Sequence, residues 1–293
     1  AAPSSNSGNN IFVYYLFRTV GTVSHPSNNA LSASTGTFTG DLDVDSKTLF
    51  VDASENKVGV GGETSLLGTL HVRTSDASLT TVNANADDLI IENNGNCGIS
   101  ICSSTSGEGN LNFIDSGDTN IGRIQYSHSN NSLSFRANDI VGMTIDSTGA
   151  VTKPYQPAFH AKAPGTDSNL SINNTHTLNF NSERFDQNGD YDGTNTFTAP
   201  VTGKYQLNVA LYLQHVDKDA SYIQFEIYTS NKQYYLAMAP NGFDADPTYF
   251  PFTMSVLADM DANDTAQVKV YQSGGSAVLD LDGHSNFSGY LVC

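Results

Sequence analysis

Lys204-Tyr-Gln-Leu-Asn-Val-Ala-Leu-Tyr-Leu-Gln214 alternates strictly along its length. Tyr205, Leu207, Val209, Leu211 and Leu213 fall on one face, and Lys204, Gln206, Asn208 and Gln214 on the other. A period of two predicts a half-buried strand. Tyr222-Ile-Gln-Phe-Glu-Ile-Tyr228 repeats the pattern with Ile223, Phe225 and Ile227 inward, and Thr265-Ala-Gln-Val-Lys-Val-Tyr271 repeats it again. Strands recurring at this spacing predict a sandwich or jelly roll over residues 153–293.

The rest of the chain agrees with an all-β class. Only 15% of its residues are charged, and Asn, Ser, Thr and Gly are abundant, a mixture that suits short strands and tight turns better than long helices. With 13 Lys+Arg against 30 Asp+Glu the net charge is -17, which repels phosphate backbones and argues against nucleic acid as a partner. Ile11–Phe17 is too short to span a bilayer and no basic segment precedes it, so neither membrane insertion nor a signal peptide is expected. The start at Ala1 is read as a processed or fragment end.

Three segments are expected. Residues 1–45 read as an attachment and shaft segment, with strands at Ile11–Phe17 and Thr19–Val23 and a short one at Thr35–Thr39. Residues 46–152 read as a β-rich shaft of strand-turn-strand units. Leu49-Phe-Val-Asp-Ala-Ser-Glu-Asn-Lys-Val-Gly-Val60 and Met143-Thr-Ile-Asp-Ser-Thr-Gly-Ala-Val151 share one pattern of a polar turn between β-rich runs. Between them Leu89–Ile91, Gly98–Ile101, Leu111–Phe113, Ile121–Ile124 and Ser132–Phe135 read as strands. Lys153-Pro-Tyr-Gln-Pro157 is an extended linker, because two prolines disfavour a continued ladder.

Two resemblances rest on particular residues. Phe180-x5-Asp186-x4-Tyr191-x5-Phe197-x5-Gly203-x-Tyr205, closed by Phe287-Ser288-Gly289-Tyr290-Leu291, resembles the C1q-like head, a jelly roll related to the tumour-necrosis-factor fold. That family implies a homotrimer that binds ligands. The gap from Tyr191 to Phe197 is one residue short of the family pattern, Leu207 and Val209 replace common aromatics, and Asn263-Asp264 stands where Gly-Asp is usual. In the middle segment, Phe50–Val60, Ile91-Glu-Asn-Asn-Gly-Asn-Cys-Gly-Ile-Ser100, Ile121-Gly-Arg-Ile-Gln-Tyr-Ser-His128 and Met143–Gly149 resemble tail-fibre segments of marine and cyanobacterial phages. Together they imply a homotrimeric fibre with a β-rich shaft, since interlocked copies hide sheet edges that a monomer would expose.

Little in the sequence points to catalysis. It has no Gly-x-Ser-x-Gly elbow, phosphate loop or His-Glu-x-x-His, so no enzyme and no catalytic residues are expected. Asp244/Asp246 is the acidic pair that a surface depolymerase would use. Within Asp186-Gln-Asn-Gly-Asp-Tyr-Asp-Gly193 the run from Asn188 begins like a calcium loop, but the twelfth position from Asn188 is Ala199 where Glu is needed, and the stretch reads as an acidic turn. Calcium is therefore possible without a ligand motif, and no metal or other cofactor is expected. The seven His residues lack metal-site spacing and read as polar strand or turn residues, although an intertwined trimer can stack one His per chain around a metal, with His71 or His128 as the candidates. Cys97 and Cys102, five steps of about 3.3 Å apart on a strand, cannot pair and are expected as buried free thiols.

Aromatic residues beside polar acceptors are the better candidates. Tyr234 and Tyr235 follow the turn Thr229–Lys232, and Asp244, Asp246 and Tyr249 lie in the Pro/Asp/Gly-rich stretch 240–251. Such rings grip sugars and protein surfaces. The expected function is attachment of a phage to its bacterial host. The 1–45 segment would dock on other virion tail proteins, and the head would bind host cell-surface polysaccharide or protein. The alternative is a capsid or tail decoration fibre without an adsorption role.

Overall fold

The computed structural model describes residues 36–293 apart from 37, 46, 63 and 64. Ile11–Phe17, Thr19–Val23 and His25 lie outside the described residues. So do two residues of Thr35–Thr39, whose described members are not in a strand. No helix among the described residues is long and apolar enough to cross a membrane. The chain forms two compact units, one reaching Ser100 and one from Ile101 to Cys293.

The first unit holds one sheet ordered β1 (Leu42–Val44), β2 (Leu49–Asp52), β3 (Lys57–Val60), β4 (Leu70–Arg73), β5 (Leu89–Glu92). β2 and β3 form the hairpin expected from the polar turn, with Asn56 at a φ of 56°. The next two strands add in parallel, and β4 had no sequence signal. Phe50, Leu66 and Ile90 are buried beside His71 and Glu92. His71 Nε2 lies 2.9 Å from Glu92 Oε2, and Glu92 Oε1 accepts the Ala77 N–H at 2.6 Å. This buried pair ties β4 and β5 to the loop that joins them, so His71 holds the sheet together from within its own unit.

Gly98–Ile101, expected as a strand, is irregular. Ile99 and Ile101 alternate but find no partner strand, and both are exposed. Cys97 and Cys102 on either side are exposed free thiols, as is Cys293, which corrects the expectation of buried ones.

The second unit begins with an antiparallel meander: β6 (Glu108–Phe113), β7 (Gly122–Ser127), β8 (Ser132–Ala137), β9 (Ile140–Ile145), β10 (Val151–Thr152). Its register sorts side chains by chemistry. Leu111, Ile124, Phe135 and Met143 stand opposite one another across four strands, and Tyr126, Leu133, Ile145 and Val151 form the next row on the same face. The other face carries Asn110, Gln125, Ser134, Thr144 and Thr152. A bulge beside Gly142 keeps Ile140 opposite Ala137. Nevertheless, not one residue from 101 to 156 is buried.

The Lys153–Pro157 linker is pinned by side chains of the acidic turn. Gln187 donates to the Lys153 and Gln156 carbonyls at 2.8 Å each, and Asn188 donates to that of Tyr155 at 3.0 Å. Beyond the linker run β11 (Ala158–Lys162), β12 (Thr175–Thr177), β13 (Ser182–Asp186), β14 (Phe197–Thr198), β15 (Gly203–Gln214) and β16 (Tyr222–Thr229). The chain then continues through β17 (Gln233–Met238), β18 (Tyr249–Met260), β19 (Thr265–Ser273), β20 (Asp280–Leu281) and β21 (Asn286–Leu291). One sheet is ordered β13-β11-β21-β15-β18 with β20 on β15, and the other β12-β19-β16-β17 with β14 on β19. All pairings are antiparallel, and the two inner faces make one core.

The spaced aromatic residues converge in that core. Phe159 stacks on Phe197 at 4.7 Å and on Tyr191 at 5.2 Å and meets Phe287 edge-on at 5.0 Å, while Tyr205 lies 5.4 Å from Phe197. Tyr191 and Tyr205 donate to the carbonyls of Phe180 and Val201, which satisfies the polar tip of each ring. Gly289 sits opposite both Phe159 and Leu207, and a Cβ there would lie 2.7 Å from Leu207 and 2.8 Å from Phe159. Gly203 has a similar reason. It begins β15, where a Cβ would lie 2.6 Å from the Cys293 carbonyl oxygen. Asn263, standing where glycine is usual, takes a φ of 74°, which Asn tolerates.

Candidate functional site

The acidic turn spends its carboxylates on its own backbone. Asp186 accepts the amides of Gly189, Asp190 and Tyr191, and Asp192 accepts those of Thr194, Asn195 and Thr196 at 2.8, 2.8 and 3.0 Å. The second set closes the shortened link between Tyr191 and Phe197. Burial, and then the neighbouring Asp186 charge, pushes the Asp190 carboxyl up. Among the described residues no group of three His, Cys, Asp or Glu is placed to hold a metal. A cavity of about 710 Å³ lies under the linker between Tyr155, Gln187, Val201 and Leu291. Its only charged lining residue is Lys153, so no carboxylate pair meets there for acid-base work.

The aromatic candidates occupy two places. Tyr234 and Tyr235 sit on β17, the edge of its sheet, paired with Ile227 and Glu226. Alternation turns Tyr234 against the core and leaves Tyr235 58% exposed. Asp244 and Asp246 are exposed in the loop before β18, where Asp246 accepts the Lys218 N–H at 2.9 Å. Phe243 and Phe250 in the same stretch pack on the core and on each other, at 5.8 Å. Tyr249 opens β18 and is 59% exposed. No ring contact joins it to Tyr235 among the described residues.

Tyr249 instead belongs to a cluster the sequence did not suggest. Its ring lies 5.5 Å from Tyr212, and Tyr212 lies 5.9 Å from His284. The register that places Tyr249 opposite Gln214 brings these residues together, while the loop after β20 supplies His284. Tyr212 points outward from the strand whose inward face marked the fold, and that was its only local signal. Asp282 accepts the Gln214 amide at 2.6 Å and also the His284 backbone N–H and ring. Burial pushes its carboxyl up, but the bonds from His284 outweigh this and hold it below the usual range. His215 approaches Asp280 at 3.1 Å in the same neighbourhood. Half-exposed rings bordered by a fixed carboxylate and amides form a shallow surface. It suits recognition of hydroxyl-bearing or aromatic groups and provides no enclosed pocket for chemistry.

Comparison with known proteins bears on this region. A search among curated proteins finds no match. Similar solved structures include the globular domain of zebrafish complement 1qA protein, 16% identical over 47% of this chain and 98% of that one, with a TM-score of 0.36. Murine APRIL is 13% identical over 46% and 98%, with a TM-score of 0.34. Residues 158–292 match the model of the C1q domain. The antiparallel two-sheet unit and the family match cover the same stretch: residues 158–292 form a jelly roll and are similar to the C1q domain.

Proposed function

We propose that this chain is a homotrimeric phage tail-fibre protein whose C1q-type domain binds the surface of the bacterial host. The observation that carries the reading is the exposed Tyr249–Tyr212–His284 cluster on a recognition fold, joined to a middle segment that resembles phage fibres. In this reading Tyr249 and Asp246 contact host polysaccharide or protein directly. Tyr235 and Asp244 contribute from the flanking surface, while Tyr234 packs against the core from the same strand. Residues 1–45 dock on the virion tail. A shallow site repeated three times per fibre, on several fibres, gives avidity without a deep pocket.

The test is adsorption. Purified full-length protein should bind cells of the susceptible strain and block phage attachment, and Tyr249→Ala should lose most of that block while its melting temperature stays unchanged. Cell binding without any effect on attachment would favour the decoration role instead.

A further inference from the structure

The meander β6–β10 has one face with no charged side chain, and among the described residues no strand lies across that face. Its two apolar rows, headed by Leu111 and Tyr126, are each matched strand to strand, while the charged and amide side chains of the same strands are directed to the opposite face. Leu111, Phe113 and Val151 are more than half exposed. With four strands of six residues and one of two, about 4.8 Å apart and about 3.3 Å per residue, the face spans roughly 400 Å². Monomeric proteins rarely leave an apolar patch of a few hundred Å² without a use for it, and an antiparallel sheet ordinarily packs one face on a core.

We infer that this face is the contact between copies of the chain, closing around a shared axis so that the apolar rows form a core made jointly by the subunits. The inference rests on the proposed trimer and assigns it a surface. Charge favours a second copy as the occupant. Chains of net charge -17 repel one another, and an uncharged face lets two of them meet without opposing carboxylates. Area favours it too. Roughly 400 Å² falls short of the roughly 800 Å² that each partner contributes to a standard stable interface. A foreign partner held by this face alone would be weakly held. Another copy is also tethered through its own head, whose β17 and β18 expose Leu236 and Leu257. The polar row with Gln125 and Ser134 then faces water.

Hydroxyl-radical footprinting of the full-length wild-type chain tests this, with light scattering giving the mass of the same samples. The expected result is a trimer in which Phe135 and Met143 are oxidised several-fold more slowly than Tyr155, which is exposed outside the sheet. In parallel, Phe135→Glu should lower the mass and Ser134→Glu should not. A trimer in which Phe135 and Met143 react as fast as Tyr155 would overturn the face assignment and leave the trimer standing. A monomer at every concentration would overturn both. A dimer with the face protected would support the contact between copies and contradict the threefold reading.

Discussion

The meander and the jelly roll are built from the same alternating pattern and use it differently. In β15 every second residue from Tyr205 to Leu213 is buried, because a second sheet lies across it. In β7 and β8 the alternation is as regular, yet Ile124, Leu133 and Phe135 are only half-buried. An apolar face is a demand for a partner, and the sequence alone does not say whether that partner lies in the same chain. The head meets the demand internally, with Phe159 and its ring neighbours at the centre. The meander leaves it open among the described residues, and under the proposed assembly that difference separates a module with its own core from one completed by other copies.

The largest effect should come from removing the centre of the closed core. Phe159→Ala leaves a void among three rings and is expected to cost about 3–5 kcal/mol. This would be read from urea denaturation of the head's transition and should not depend on protein concentration. Phe135→Ala, a comparable truncation on the open face, should shift stability in a concentration-dependent way. If both losses were independent of concentration, the contrast between the regions would disappear. Gly289→Ala is next. A methyl group there overlaps Phe159 and Leu207, and overpacking of this kind is expected to lower stability by about 1–3 kcal/mol.

The smallest expected effect sharpens the comparison through charge. The Asp190 carboxyl is raised in the folded state by burial and by Asp186, so its ionisation opposes folding. The folded protein holds that proton more tightly than the unfolded chain. Stability from this group is therefore greatest at low pH and falls as pH rises through the folded value. Asp190→Asn should raise the head's melting temperature slightly at neutral pH, and the gain should shrink as pH drops below the ordinary Asp range. A gain that instead grew on acidification would contradict the assigned cause.

Much of the head was legible in the sequence because its strands are long. Twelve residues of β15 and nine of β19 leave no ambiguity of period, and the aromatic spacing reflects rings that must meet around Phe159. Shorter pieces were less readable. Gly98–Ile101 has a strand-like alternation and no partner to pair with, whereas Leu70–Arg73 gives no signal but is held between β3 and β5 by parallel pairing. The cluster of Tyr249, Tyr212 and His284 comes from three separated segments, so only the register of β15 against β18 could reveal it. The uniform face of the meander was hidden for the same reason. Each strand shows its own alternation, but the alignment of the rows depends on pairings set by the intervening turns.

Hydrogen-deuterium exchange of the full-length chain, followed across a dilution series by mass spectrometry, tests most directly whether one region closes its core alone and the other does not. The account predicts that amides of residues 203–214 and 265–273 keep their protection at every concentration, while those of 122–145 lose theirs as the assembly dissociates. Equal protection of 122–145 in the dissociated chain would contradict it.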